Sequence, residues 1–499
     1  MSQAFQVKTL DRILSEAGEH NEGGLPRVLK AKDLVLLGIG AIIGAGIFAT
    51  TGTAACGTAD RPGAGPALVV SFILVAITCG FCALCYAEFA SMIPIAGSAY
   101  TYAYATMGEL VAWIIGWDLI LEYAVGNVAV AVSWAGYFKA LLAGLGIHIP
   151  DWMSTARADI TPEIAASAPH LFGAPIVFNF PAMAIVALLT WLLVRGVRES
   201  TTTNNIMVVL KLVIILFFIG VGIFYIKPEN YVPFAPNGWK GIQVAAALIF
   251  FSYIGFDAVS TVAEETEDPG RNLPIGIIGS LIICTVLYVI VAGVLCGVAN
   301  YTTLGTAEPM ATAFENLGLH WASGVIAAGA VIAMTAVLLV FQLGQPRIFF
   351  SMSRDGLLPE FFAKVHPVYR TPYVTTIATG VVVAIASGFL DISVVIELTN
   401  IGTLFAFVLV CIGVIILRRT KPDAERPFRT PMVPLVPILG CISCFYLMLG
   451  LPTLTWIRFF AWLAIGIVVY FAYGINHSRL GLDPAGPSPT GFSEGPPHA

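Results

Sequence analysis

The sequence Gly38-Ile39-Gly40-Ala41-Ile42-Ile43-Gly44-Ala45-Gly46-Ile47-Phe48 lies inside the first long apolar segment of the chain. Its glycines are poor helix formers, each costing about 1 kcal/mol relative to alanine, so it predicts a helix that breaks near its middle. Lipid offers no hydrogen-bond partner, so an unwound backbone is tolerated where protein or water surrounds it. Its free N–H groups suit a carboxylate and its carbonyls suit an ammonium group, which predicts a receptor for a small zwitterion. Close helix packing by small residues is the alternative interpretation.

The composition is that of a membrane protein. Of 499 residues, 58% are hydrophobic and 11% are charged, whereas soluble domains carry about 25% charged residues. Apolar runs long enough to cross a bilayer recur along the chain, which predicts an all-α polytopic fold. The net charge of −5 gives no sign of a nucleic-acid partner. No motif for catalysis, phosphate binding or a metal site stands out, so we expect neither an enzyme nor a cofactor.

Windows of about 20 residues predict about twelve transmembrane helices. The predicted spans are 33–56, 66–92, 100–138, 178–195, 206–226, 241–263, 274–298, 322–350, 373–390, 393–417, 431–451 and 455–475. Lys and Arg concentrate in the loops on one side, and the positive-inside rule then places both termini in the cytoplasm. The prediction is a multi-pass protein of the plasma (inner) membrane with cytoplasmic tails at 1–32 and 476–499, the second of them disordered.

The sixth predicted span carries a second break, at Phe251-Ser252-Tyr253-Ile254-Gly255-Phe256-Asp257. It follows the first break by five spans, and because five is odd, the second copy crosses the membrane in the opposite direction. Matched broken helices in two inverted halves indicate the binding site of a secondary transporter. We therefore predict inverted repeats at 33–230 and 241–419, followed by two further spans at 431–475.

Several motifs resemble a known superfamily. They are the glycine stretch Ile39–Phe48, Cys85–Ala90 with Gly97–Tyr102, Trp117–Tyr123, Tyr253–Ala258 and Pro346–Gly356. Together they resemble the amino acid–polyamine–organocation superfamily, and within it a bacterial, twelve-span form of the cationic amino acid transporter family. The resemblance implies a five-plus-five inverted-repeat core with spans 1 and 6 broken, two C-terminal helices, and transport of L-amino acids.

The resemblance also implies how the substrate is held. Its carboxylate would meet backbone N–H groups near Gly44, Ala45 and Gly46. Its ammonium would meet carbonyls around the two breaks, near Ile43, Phe251, Ser252, Ile254 and Gly255. Phe256, or Phe251, would close over the substrate as an aromatic gate.

Ionisable residues inside spans are expensive and commonly functional. Lys211 lies about 9 Å from a span end and could snorkel to the surface, or, as the resemblance implies, couple transport to protons by bracing span 1 against span 5. Glu122 would contact substrate or carry a second proton, with a structural role as the alternative. Asp257 would stabilise the unwound backbone of span 6.

Substrate choice stays open between neutral and cationic amino acids. Glu122 would provide one carboxylate to bind the side chain of a cationic substrate. Phe341 and Gln342, in contrast, stand where arginine-accepting members of the resembled family tend to have something smaller, and the resemblance thereby implies a shorter pocket that favours neutral amino acids such as alanine. The leading hypothesis is proton symport across the lipid bilayer, with an uncoupled exchanger or amino acid/polyamine antiporter as the alternative. An amino acid sensor or channel is a weaker alternative, since no filter or signalling domain is evident. A small membrane accessory subunit is also left open.

Overall fold

The computed structural model describes residues 3–9, 27–58, 61–95, 98–157, 160–196, 201–369 and 371–482. In these ranges, nine helices are long and apolar enough to cross a membrane, and three shorter apolar helices join them. We number all twelve as spans in chain order. They are Ala31–Cys56, Gly65–Met92, Glu109–Gly144, Phe180–Val194, Asn205–Tyr225, Gly238–Glu265, Pro269–Val298, His320–Arg354, Tyr373–Phe389, Ile392–Thr420, Leu435–Met448 and Thr453–His477. The predicted polytopic helical fold is confirmed.

Short elements connect the spans. The helices among them are Ser98–Thr106, Pro162–Ser167 and Pro309–Asn316. Two small antiparallel hairpins pair Gly57–Thr58 with Arg61–Pro62 and His170–Leu171 with Ala174–Pro175. The face at which span 1 begins and span 12 ends is called the terminal face below, and the other is called the opposite face.

Helix packing follows a five-helix repeat. The contact of span 1 with span 7 has its counterpart in the contact of span 6 with span 2. In the same way, the contact of span 3 with span 10 has its counterpart in the contact of span 8 with span 5. Spans 2, 3 and 4 each pack on the span five places later. Exchanging each of the first five spans with the span five places later, such as 1 with 6 and 2 with 7, maps one set of contacts onto the other, as two halves of like fold require. Spans 11 and 12 lie outside this scheme and pack mainly on span 10.

Spans 1 and 6 are both broken, as predicted. Span 1 has an α-helix at Ala31–Ile42, a π-helical turn at Gly46–Thr50 and a last helix at Thr51–Cys56. Span 6 has an α-helix at Gly238–Ile249 and 3₁₀ turns at Phe250–Tyr253 and Asp257–Glu265. Its backbone is extended at Ile254.

Two predicted boundaries differ from the structure or lie beyond it. Span 3 begins at Glu109 rather than near residue 100, because Gly108, at φ +95°, separates it from the helix Ser98–Thr106. The apolar pattern of the sequence continues through Gly108, so the pattern alone does not reveal this helix boundary. The tails predicted at 1–32 and 476–499 lie largely outside the described residues, and the repeat boundaries 33–230 and 241–419 stay a prediction.

Candidate functional site

The break in span 1 leaves backbone donors free. Among the hydrogen bonds of the described residues, the N–H groups of Gly44, Ala45 and Gly46 take part in none. Such groups stand at the start of a half-helix, where the positive end of the helix dipole lies. All three residues are buried. N–H donors of this kind suit a carboxylate, and the binding role of these three residues stays a prediction.

The two breaks lie directly against each other. A Cβ added to Gly46 would stand 2.3 Å from Ser252 Cα, and one added to Gly255 would stand 2.8 Å from the carbonyl carbon of Ala41. Gly255 also has φ +118°, which residues with a Cβ rarely adopt. Glycine at these positions therefore lets the unwound backbones of spans 1 and 6 meet.

Side chains hold the unwound part of span 6. The Gly255 N–H donates to Asp257 Oδ1 at 3.3 Å, and the structural role of Asp257 stays a prediction. Asn400 of span 10 donates through Nδ2 to the carbonyls of Ala247, at 2.8 Å, and Leu248, at 3.0 Å. Span 10 is thereby tied to the helix that leads into the break.

A cavity of about 280 Å³ opens from the terminal face and extends along span 1 as far as Gly40 and Ala41, in the last turn of the helix before the break. Its apolar lining comes mainly from spans 1, 3, 6 and 8. Charged groups also line it: Asp33, Glu265 and Arg347. A solute in this cavity can approach the glycine stretch from one side of the membrane.

The opposite face is closed. Arg61, in the hairpin after span 1, forms an ion pair with Glu397 of span 10. Thr455 Oγ1 donates to Glu397 Oε2 at 2.6 Å, and Tyr137 OH donates to the Phe48 carbonyl at 2.5 Å. A structure that is open to one face and sealed at the other is one state of an alternating-access cycle.

Lys211 lies beside the break in span 1. Its side chain is buried, at 2% exposure, so it does not snorkel. Its Nζ donates to the Gly40 carbonyl at 2.7 Å and so bridges span 5 to span 1. Tyr288 of span 7 donates through its OH to the Ile42 carbonyl at 2.9 Å. Two of the carbonyls before the break are thus held by side chains from neighbouring spans.

Glu122 and the predicted gate are buried. Glu122 Oε2 has no hydrogen-bond partner among the described residues, and Leu119 and Tyr123 on the same span line the cavity. The Phe256 ring packs on the rings of Tyr86, 5.9 Å away, and Phe407, 5.1 Å away. Phe256 does not cover the cavity in this conformation, so its gating role stays a prediction, as does that of the buried Phe251.

The two predicted specificity residues face different ways. The Phe341 ring packs on the ring of Tyr123, 5.5 Å away, one layer behind the cavity wall. Gln342 Nε2 donates to Thr190 Oγ1 at 3.0 Å and approaches the Val186 carbonyl at 3.3 Å, both on span 4. Gln342 therefore points toward span 4 and away from the cavity, because none of the described residues of span 4 lines the cavity. Its role in specificity stays a prediction.

Sequence reasoning missed Asn400, Glu397, Arg61 and Tyr288. Asn400 and Glu397 carried a usable signal, since polar residues inside an apolar span are commonly functional. Arg61 and Tyr288 gave none, because their partners are remote in sequence.

A family model described as amino acid permease matches residues 29–473. The chain belongs to the amino acid permease family. It is 47% identical to a branched-chain amino acid permease of Bacillus subtilis over 477 residues, covering 95% of the chain and 98% of the relative. It is 46% identical to a methylthioribose transporter of the same organism over 480 residues, covering 96% of the chain and 100% of the relative.

More distant relatives include the vacuolar cationic amino acid transporter 4 of Arabidopsis thaliana. It is 38% identical over 434 residues, which cover 85% of the chain and 68% of the relative. The expected relation to permeases and to cationic amino acid transporters is confirmed. The chain is a multi-pass membrane transporter and not an enzyme.

Proposed function

We propose that this permease is a secondary active transporter that moves L-amino acids across the plasma (inner) membrane together with protons, with both termini in the cytoplasm. The observation that carries the proposal is the set of free N–H groups at Gly44, Ala45 and Gly46, next to a one-sided cavity. The carboxylate would bind these donors. The ammonium would bind carbonyls near Ile43, Phe251, Ser252 and Ile254, around Gly255.

The cavity lining favours an apolar side chain on the substrate. Leu119, Tyr123, Val340 and Leu343 supply much of the wall between spans 3 and 8. Asp33 and Glu265 lie nearer the terminal face, at the start of span 1 and the end of span 6. The proposed substrates are neutral amino acids with branched or small side chains. Glu122 then serves as a buried polar group rather than as a partner for a cationic substrate.

Proton coupling is assigned to Lys211. When protonated, Lys211 holds span 1 to span 5 through the Gly40 carbonyl. Loss of the proton removes the charge from this hydrogen bond and lets the two spans part. Substrate and proton would then leave toward the cytoplasm together.

The proposal is tested by uptake into proteoliposomes of labelled leucine, alanine, arginine and methylthioribose, with and without an inward proton gradient. We expect leucine or alanine to accumulate only with the gradient, and arginine to enter at least tenfold more slowly. Uptake that ignores the gradient and requires internal amino acid would establish the exchanger instead. Uptake of methylthioribose alone would reject amino acids as the substrate.

Glu397→Gln is expected to favour opening at the opposite face. It removes the charge that holds Arg61, and breaking one partner of a largely buried ion pair is destabilising. We expect Thr53→Cys, beside the pair, to react several-fold faster with a membrane-impermeant maleimide in the Glu397→Gln background.

The charge-swapped variant Arg61→Glu with Glu397→Arg is the control, because it keeps an ion pair at the same place. It should return the labelling rate toward that of the Thr53→Cys parent. Equal labelling in all three backgrounds would show that the pair does not contribute to closure.

A further inference from the structure

Asp118 is a buried acid that the proposed transport cycle does not use. It lies in span 3, is 0% exposed, and neither carboxylate oxygen has a hydrogen-bond partner among the described residues. An ionised carboxylate without partners in a membrane interior costs several kcal/mol, so such a group binds a proton instead.

The site around Asp118 is built to hold it. A Cβ added to Gly402 of span 10 would stand 2.6 Å from Asp118 Oδ1 and 3.2 Å from Oδ2, so glycine makes room for the carboxyl group. Trp117 fixes this part of span 3, because its Nε1 donates to the Trp462 carbonyl of span 12 at 3.0 Å. The carboxyl group is thus clamped between spans 3 and 10.

One stretch of span 10 touches three places that must change during transport. Glu397 binds Arg61 at the closed opposite face, Asn400 binds the carbonyls before the break in span 6, and Gly402 covers Asp118. These three residues lie within two turns of one helix. A movement of span 6 or of the Arg61–Glu397 ion pair therefore also moves Gly402 relative to Asp118.

We propose that Asp118 is a second proton-binding site of the transporter, which holds its proton while Gly402 covers it and releases it to cavity water when span 10 moves away. The inference rests on the proposed function. The cavity is close, because Leu119, the next residue, lines it. The neighbouring acid on the same face of span 3 is Glu122, one turn away. Within the described residues, the main elements that pack on span 3 place no charged group against Asp118; these elements are spans 4, 8, 9, 10 and 12, the helix Ser98–Thr106 and the turn Gln3–Phe5.

The test is Asp118→Asn, which mimics the protonated acid and cannot release a proton. In proteoliposomes we expect leucine exchange against internal leucine to stay within about twofold of the parent. We expect the number of protons taken up per leucine to fall, and accumulation driven by a proton gradient to drop at least fivefold. Asp151→Asn, at an exposed loop position, is the matched control and should change neither.

Unchanged proton uptake and accumulation in Asp118→Asn would overturn the proposal and leave Asp118 a structural acid. A second measurement, made on the parent protein, tests the proposal even if the Asp118→Asn variant does not fold. The infrared carbonyl band of a protonated carboxyl group should change when leucine is added to the parent protein, and it should not change if Asp118 stays protonated throughout. A parent that transports leucine with no proton movement would refute the proposed coupling, whereas loss of coupling in the variant alone supports the Asp118 site.

Discussion

Replacing Lys211 with alanine is expected to abolish proton-driven accumulation of amino acid. The change removes the buried ammonium group that donates to the Gly40 carbonyl at 2.7 Å. A hydrogen bond to a charged group contributes about 1.5–3 kcal/mol, which corresponds to roughly a 10- to 150-fold change in a conformational equilibrium. Span 1 then parts from span 5 whatever the proton gradient. The measurement is the ratio of leucine uptake with an inward proton gradient to uptake without one, which should fall to about one.

Two variants control for this result. Lys240→Ala removes a lysine that is exposed at the start of span 6 and should leave the ratio unchanged. Lys211→Arg keeps the charge but does not release a proton at neutral pH, so it should also fail to couple uptake to the gradient. Full gradient dependence in Lys211→Ala would contradict the assignment and leave Lys211 a structural bridge between spans 1 and 5.

Replacing Gly46 with alanine is expected to lower transport at least a hundredfold. The added Cβ would stand 2.3 Å from Ser252 Cα and 2.8 Å from its backbone N, so the two broken spans must separate. Since both contacts are backbone atoms, no rotamer change can relieve the overlap. The displacement moves the donors at Gly44 and Ala45 away from the carbonyls near Ser252. The initial rate of leucine uptake measures the loss of transport, and equilibrium binding of labelled leucine to purified protein should weaken with it.

Gly80→Ala is the matched control, since Gly80 lies within span 2 and a Cβ there meets nothing within 4 Å. It should bind leucine as the parent does, and helix propensity predicts slightly higher stability. Normal leucine binding by Gly46→Ala, in protein that elutes as folded, would show that the substrate does not bind between the two breaks.

The breaks and the twelve spans were predictable because their signals are local. Clustered glycines weaken a helix wherever they occur, and apolar runs must match the bilayer thickness. The contact of Asp257 is local as well, because its partner is the N–H of Gly255, two residues away, while its role stays a prediction. Lys211 was predicted near the first break only through the resemblance, since the pattern of span 5 alone allowed it to reach the surface.

The contacts across the bundle were not predictable. Arg61 and Glu397 are separated by most of the chain, and no local pattern reports their pairing. The direction of Gln342 depends on how span 8 is rotated against span 4, because one residue of rotation moves a side chain from the cavity to a helix interface. Gly108 is a further example, because its positive φ separates two helices where the sequence pattern predicted one long helix.

The most direct test of the central claim is the internal pH of proteoliposomes that carry a trapped pH-sensitive dye. Leucine is added outside, with no imposed proton gradient and no amino acid inside. Proton-coupled amino acid transport predicts that the lumen acidifies as leucine enters, and that Lys211→Ala vesicles show no acidification. Leucine uptake without acidification, or uptake only when amino acid is present inside, would contradict the account.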